Sequence, residues 1–220
     1  MMERELIDVT FLQRWGIVRT LKPQSVADHS FLVAHYVNDI CMLLDVRGGT
    51  HLAVLQYALW HDIDEVTTGD FPGPNKRGLL DAIGDGAKDK WDKKLSEWCT
   101  RIFDGWFQRS GGHVAHSNAS SEIVSLIVKT ADWLEAATRM ATEAQMGNGC
   151  ATRHIVPNMN GAIETAKKLC AVSQRTDIEA KLVEHIENAV FNAHHGQSLG
   201  PWITREDQNR TYHDPCVDSN

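Results

Sequence analysis

The run Trp60-His61-Asp62-Ile63-Asp64-Glu65 places an imidazole and carboxylates close together around one apolar spacer. Read as helix, His61 and Asp62 lie about 100° apart and can converge on one ion from neighbouring positions. Glu65 follows His61 by four residues and Asp62 by three, so it overhangs the same spot without having to bind there. An ion held by imidazole and carboxylate lowers the pKa of its water, towards about 7 in favourable sites. A carboxylate beside that water can orient it or exchange a proton with it. These residue types therefore allow metal-assisted hydrolysis.

By itself a His-Asp pair is more often a pair of solvated surface residues. The flanks argue otherwise: Ala58, Leu59 and Ile63 make the segment apolar on its other faces, which sets the polar residues in a core-lined cleft. Groups buried there must be paired or metal-bound. Two further candidates complete a ligand set. His29 opens a helix in Val26-Ala27-Asp28-His29-Ser30, and Asp132 sits in Lys129-Thr130-Ala131-Asp132-Trp133-Leu134-Glu135. Each also has a structural reading: a salt bridge to Lys129 or Arg139 for Asp132, a helix-capping partner for His29.

The elements that must position these residues read as helices throughout. Apolar spacing predicts a first helix over 4–13. A second starts at a Ser25 or Asp28 cap, runs through Leu44 and is ended by Gly48-Gly49; a third, capped by Thr50, covers 51–66. The stretch Thr68–Asn75, with two prolines and two glycines, is loop. Residues 79–107 read as helix of uncertain phase, with Trp91, Trp98, Trp106 and Phe107 as core or subunit interface, and Ser110–His113 as a second loop. Helices over 120–146, 158–173 and 177–194 follow, the last stopped by His195-Gly196. His194-His195 suits helix-dipole partners or plain surface better than a metal pair. No strand or repeat is evident, so the fold class is all-α: one domain over 1–200 and a polar tail over 201–220.

At this level of detail the chain resembles a known family. His29, His61-Asp62 and Asp132 match in order and spacing the H…HD…D signature of HD-domain phosphohydrolases. Arg14-Trp15, Asp28-His29-Ser30, His61-Asp62-x-x-Glu65 and Thr68-Gly69-Asp70-x-Pro72-x-Pro74 resemble the bacterial HD-domain 5′-deoxynucleotidases and the related phage deoxynucleoside triphosphate hydrolases. The resemblance covers about residues 10–145. It implies a single-domain helical bundle in which His29, His61, Asp62 and Asp132 hold one divalent ion, with Co, Mn, Zn, Fe and Mg unranked, and additional ions possible with a triphosphate. Glu65 would be the acid/base or water-orienting residue, Arg14 a phosphate contact and Trp15 the wall against the sugar. Asp70 would reach the 3′-hydroxyl or help hold a cation, and Ile17 would face the base.

A triphosphate carries roughly four negative charges and needs several cations to clamp it. Arg14, Arg19, Lys22, Lys76 and Arg77 supply a basic rim, which favours a dNTP triphosphohydrolase, with dATP preferred, over a dNMP 5′-deoxynucleotidase. Solvated loop charge is the plain alternative for that rim, and an inactive HD-fold interaction module is the remote one. With 220 residues, 42% hydrophobic and 23% charged, the chain has the composition of a soluble globular protein. Its net charge of -7 argues against non-specific duplex binding. The five cysteines are scattered and never form C-x-x-C, which argues against a disulfide framework and a thiolate zinc site. The start lacks a signal-peptide pattern and no run could span a bilayer. The expectation is a cytoplasmic homo-oligomer that binds neither membrane nor nucleic acid.

Overall fold

The computed structural model describes residues 2–63, 65–70, 73–91, 93–94, 97 and 121–196. The helices are α1 (Met2–Phe11), α2 (Val26–Leu43), α3 (Gly48–Trp60), α4 (Glu65–Thr68), α5 (Gly73–Ile83), α6 (Ser121–Gln145), α7 (Thr152–Val172) and α8 (Glu179–His194). A 3₁₀ turn, Thr176–Ile178, leads into α8. The only β pairing among the described residues is an isolated bridge between Gln13 and Ser25. The all-α class is therefore as expected. The 201–220 tail, Trp98, Trp106, Phe107 and the Ser110–His113 loop lie outside the described residues.

Helix α6 is the centre of the bundle and packs against α2, α3, α7 and α8. Ile127, Ala131, Leu134, Ala137 and Ala141 recur at helical spacing and are buried. They meet Val33, Val37 and Ile40 of α2, Val54 and Ala58 of α3, Leu169 of α7 and Leu182 and Ile186 of α8. Small residues set the α6–α7 distance. A Cβ on Gly161 would lie 2.8 Å from the Trp133 ring, so the helices approach this closely because position 161 has none. No helix among the described residues is long and apolar enough to cross a membrane.

Several boundaries differ from those expected. Helix α2 stops at Leu43, not at Gly48-Gly49. Asp45 takes a left-handed conformation (φ 57°) and the Val46 amide donates to the Cys41 carbonyl, closing the helix without glycine. Gly48-Gly49 then opens α3, and Arg47, not Thr50, sits at its N-cap without a side-chain cap. Helix α3 ends at Trp60, so the expected single helix over 51–66 is two elements. The reason is electrostatic: the Asp62 carboxylate opposes the dipole at the end of α3, and the chain restarts as α4 with Glu65 as its first residue. Helix α5 begins at Gly73, within the expected loop. Helix α7 begins at Thr152, six residues before the expected start at 158, and carries Pro157 within it.

The close Gly161–Trp133 approach gives a direct test. Gly161→Ala should lower the urea midpoint by an amount equivalent to about 1–3 kcal/mol. An unchanged midpoint would mean that the Trp133 ring moves aside freely and does not set the packing next to Asp132.

Candidate metal centre

Three elements supply the site. Ser25 caps α2 through a reciprocal box: the Asp28 amide donates to Ser25 Oγ (3.1 Å), and the Ser25 amide donates to Asp28 Oδ2 (3.0 Å). That fixes the start of α2 and sets His29 in its first turn, fully buried. His61 is the C-cap of α3 (φ -62°, ψ -29°), and Asp62 follows in the turn before α4. They are thus neighbours on a turn rather than on a continuous helix. Asp132 comes from the middle of α6.

The side chains converge. Ligand atoms of His29, His61 and Asp132 all lie within 4.8 Å of one another. His29 Nε2 is 3.2 Å from His61 Nε2, 3.3 Å from Asp62 Oδ2 and 3.5 Å from Asp132 Oδ1. His61 Nε2 is 3.4 Å from Asp62 Oδ2. His29, His61 and Asp132 thus share one cluster, and Asp62 borders it through its contacts with both imidazoles.

Hydrogen bonds on the far side of each imidazole decide what that point can hold. His29 Nδ1 is 2.7 Å from Glu135 Oε2, and His61 Nδ1 is 2.7 Å from the Ala58 carbonyl. A carbonyl only accepts, and both Glu135 oxygens accept, the second from Gln24 Nε2 at 2.6 Å. Each Nδ1 thus carries a proton, which leaves Nε2 of each ring as the atom turned inward. Two inward Nε2 atoms beside two carboxylates offer a cation four donors at one place. This donor set, with its carboxylate-supported imidazole, fits a divalent ion.

The titration tendencies report the same field. Burial and Arg14 push the His29 imidazole down, but Glu135 and Asp62 outweigh them and raise it to about 9. A field that draws a proton to Nε2 draws a dication to the same place. Burial pushes Asp62 up, yet His61, His29 and Arg14 hold it well below the ordinary carboxylate range. Asp132 is likewise held low against burial, by Lys129 and His29. Glu65 goes the other way: burial, aided by Asp62 and Asp70, pushes it up to about 9 against the pull of Arg14 and His29. Its Oε2 is buried and accepts no hydrogen bond among the described residues.

The remaining predicted residues divide into two groups. Arg14 lies at the cluster, with Nη1 donating to Asp62 Oδ2 at 3.1 Å. Trp15 is partly buried, its amide donating to Asp70 Oδ2 (2.6 Å) and its indole to Gln24 Oε1 (3.0 Å). Asp70 is thereby drawn to the Trp15 backbone. Ile17, Arg19 and Lys22 are exposed on the loop between α1 and α2. Lys76 packs its ammonium over the Trp91 ring, 5.3 Å from the centroid. For Asp132 the salt-bridge reading also holds: Lys129 Nζ lies 2.6 Å from Oδ2 while Oδ1 faces His29. Arg139 instead pairs with Glu143. His195 donates from Nδ1 to the Phe191 carbonyl (2.8 Å), as suits a helix-end partner.

Sequence reading missed Glu135, Gln24 and Glu143, all buried. Glu135 had a signal: a carboxylate between Leu134 and Ala136, three residues from Asp132. Glu143 accepts from the Leu21 (2.6 Å) and Lys22 (3.1 Å) amides, and Asn148 donates to the Arg19 carbonyl (2.7 Å). Arg139 also donates to the Lys22 carbonyl. The loop backbone is thereby pinned to α6.

With this geometry in place, the comparisons are consistent. The family described as 5′-deoxynucleotidase YfbR-like matches residues 4–174. A 5′-deoxynucleotidase of Vibrio parahaemolyticus is 30% identical over 150 residues, covering 65% of this chain and 74% of its own. A dATP triphosphohydrolase of Salmonella phage PMBT28 is 34% identical over 142 residues, covering 53% of this chain and 72% of its own. A solved cyanophage S-2L HD phosphohydrolase, bound to dA and one catalytic Zn2+ ion, superposes with TM-score 0.63 at 20% identity. That alignment covers 86% of this chain and 96% of the other, and at such identity it shows a shared fold.

Replacing Asp132 with Ala should remove bound metal while α6 persists, read by elemental analysis beside far-ultraviolet circular dichroism. A full metal complement in a folded Asp132→Ala protein would take Asp132 out of the ligand set.

Proposed function

This chain belongs to the YfbR-like 5′-deoxynucleotidase family of HD-domain phosphohydrolases, and we propose that it hydrolyses 2′-deoxynucleoside 5′-triphosphates, dATP foremost, to deoxynucleoside and triphosphate. The observation that carries the hydrolase chemistry is the pair of inward Nε2 atoms, 3.2 Å apart, beside Asp62 and Asp132. His29, His61, Asp62 and Asp132 would hold one divalent ion. When bound, such an ion polarises a phosphate oxygen and lowers the pKa of water.

The chain's own groups account for the rest. Water adds to phosphorus, the bond from phosphorus to the 5′-oxygen breaks, and that oxygen leaves with a proton. Glu65, raised to about 9 and with no hydrogen-bond partner on Oε2 among the described residues, is suited to hold the proton and deliver it. Arg14 keeps its charge, since Asp62, Asp132 and Glu135 outweigh its burial, and its guanidinium sets the phosphate against the cluster. Trp15 lies against the deoxyribose, where a 2′-hydroxyl would collide with the indole. Ile17 offers the base an apolar contact.

Support for the triphosphate comes from the loop that carries Arg19 and Lys22. Its backbone is fixed by Glu143, Asn148 and Arg139, so two exposed cations sit on a rigid rim instead of a free loop. The phage dATP triphosphohydrolase relative favours the same substrate. A second reading, hydrolysis of dNMPs to deoxynucleoside and phosphate, is favoured by the occupied state of Lys76 over Trp91, which thins the rim. The Vibrio relative points that way too.

A panel of deoxy- and ribonucleoside mono- and triphosphates, incubated with protein and manganese or cobalt, separates the two. Intact triphosphate released from dATP is the expected product; phosphate released from dNMPs alone would establish the second reading. In the same assay Glu65→Ala should keep its metal and lose about 10²–10⁴-fold in turnover. Loss of metal from that variant would make Glu65 a ligand instead.

A further inference from the structure

One buried side chain joins the candidate metal centre to the residue placed against the sugar. Gln24 donates from Nε2 to Glu135 Oε1 at 2.6 Å and accepts the Trp15 indole N–H on Oε1 at 3.0 Å. Glu135 in turn accepts from His29 Nδ1 through its other oxygen. The chain His29–Glu135–Gln24–Trp15 is continuous, and Gln24 is only 3% exposed.

Its polarity is fixed by chemistry. Indole N–H only donates and a carboxylate only accepts, so the amide must turn its oxygen to Trp15 and its nitrogen to Glu135. Reversing the amide would set like against like at both ends. Among uncharged side chains, an amide of this length meets both demands at once.

Trp15 needs such a hold. Its φ is +66°, in the left-handed region that bulky side chains rarely adopt. The Asp70 carboxylate fixes its amide and the Val18 amide donates to its carbonyl (2.8 Å), which secures the backbone. Gln24 gives the indole its hydrogen bond, while Val18 and Met140 lie in the cluster it packs against.

We propose that Gln24 is a positioning residue for sugar discrimination: by tying the Trp15 indole to the carboxylate that orients His29, it fixes the gap in which a 2′-hydroxyl is refused. This rests on the reading of Trp15 as the sugar wall. Gln24 touches neither substrate nor ion in this role; it acts through Trp15.

The test uses Gln24→Met, which keeps the length and removes both hydrogen bonds, and Gln24→Glu, which sets two carboxylates together. A third protein carries Gln24→Glu with Glu135→Gln. In that exchange His29 donates to the new amide oxygen, the amide nitrogen donates to the new carboxylate, and the indole donates to its other oxygen, so all three bonds are retained. Two readouts are taken on metal-loaded protein: the ratio of kcat/KM for dATP over ATP, with dAMP over AMP alongside, and the indole N–H resonance of Trp15, assigned with Trp15→Phe. Gln24→Met and Gln24→Glu should each cut the ratio about tenfold and move the resonance, and the exchange should restore both. An unmoved resonance in Gln24→Met overturns the positioning role whatever the kinetics. A moved resonance with an unchanged ratio overturns it too, provided that Trp15→Ala does relax the ratio. If Trp15→Ala leaves the ratio unchanged, the sugar-wall reading itself fails. Should Gln24→Met not fold, the exchange protein decides: a folded protein whose ratio stays collapsed overturns the proposal.

Discussion

The hydrogen bond between His29 and Glu135 is the constraint from which the site is built. Both side chains are essentially inaccessible to solvent, one on α2 and one on α6, at the contact between the two helices. An ionised carboxylate in such a place is strongly destabilising unless its oxygens are met. Here one oxygen accepts from His29 and the other from Gln24. The same bond fixes the orientation of His29 and so turns its Nε2 toward His61, Asp62 and Asp132. A buried acid that would otherwise weaken the core is thereby what gives the cluster its direction.

Helix α6 serves as the ruler for this arrangement. Asp132 faces the cluster, Glu135 supports it one turn on, and Glu143 holds the loop that bears Arg19 and Lys22. From Asp132 to Glu143 the rise is about 16 Å, three turns, so all three acids return to one seam. The opposite seam, with Ile127, Leu134 and Ala141, is core. Because α6 is gripped by α2, α3, α7 and α8, the distance between the ion cluster and the basic loop is set by the most constrained element in the fold.

What was legible in the sequence follows from what kind of signal each residue sends. His29, His61, Asp62 and Asp132 were readable because polar residues stand in apolar surroundings with a spacing that resembles a known signature. Helix α6 was readable almost to its ends, since its periodicity is long and unbroken. The break after Trp60 was not, because apolar periodicity runs on through Ile63 while a local clash of acids with the helix dipole stops the helix. Gln24 and Glu143 were out of reach for another reason. Glu143 meets the 19–22 loop more than a hundred residues away, and Gln24 meets Glu135 across a similar span. Nothing in the local pattern of either residue marks it as buried. Lys76 was placed on the rim by its segment, whereas its ammonium rests over Trp91, a contact that only the folded chain brings about.

The distribution of cations then bears on how much phosphate the site can take. Arg14 and Lys129 stand at the cluster, each paired to a carboxylate that an ion would share, at 3.1 Å and 2.6 Å. With an ion held there, charge on the nearest phosphate would be met by it and by those two groups, and a monophosphate would ask for no more. Charge further along a polyphosphate needs cations outside this pocket, and Arg19 and Lys22 stand on the adjoining loop. Free loop cations would lose side-chain and backbone entropy on binding; a loop already held at Arg19, Leu21 and Lys22 has lost the backbone part in advance. A rigid basic rim is of little use to a monophosphate and of direct use to a triphosphate. Glu143, Arg139 and Asn148, which fix that loop, therefore bear on the substrate as much as the residues that face the metal cluster.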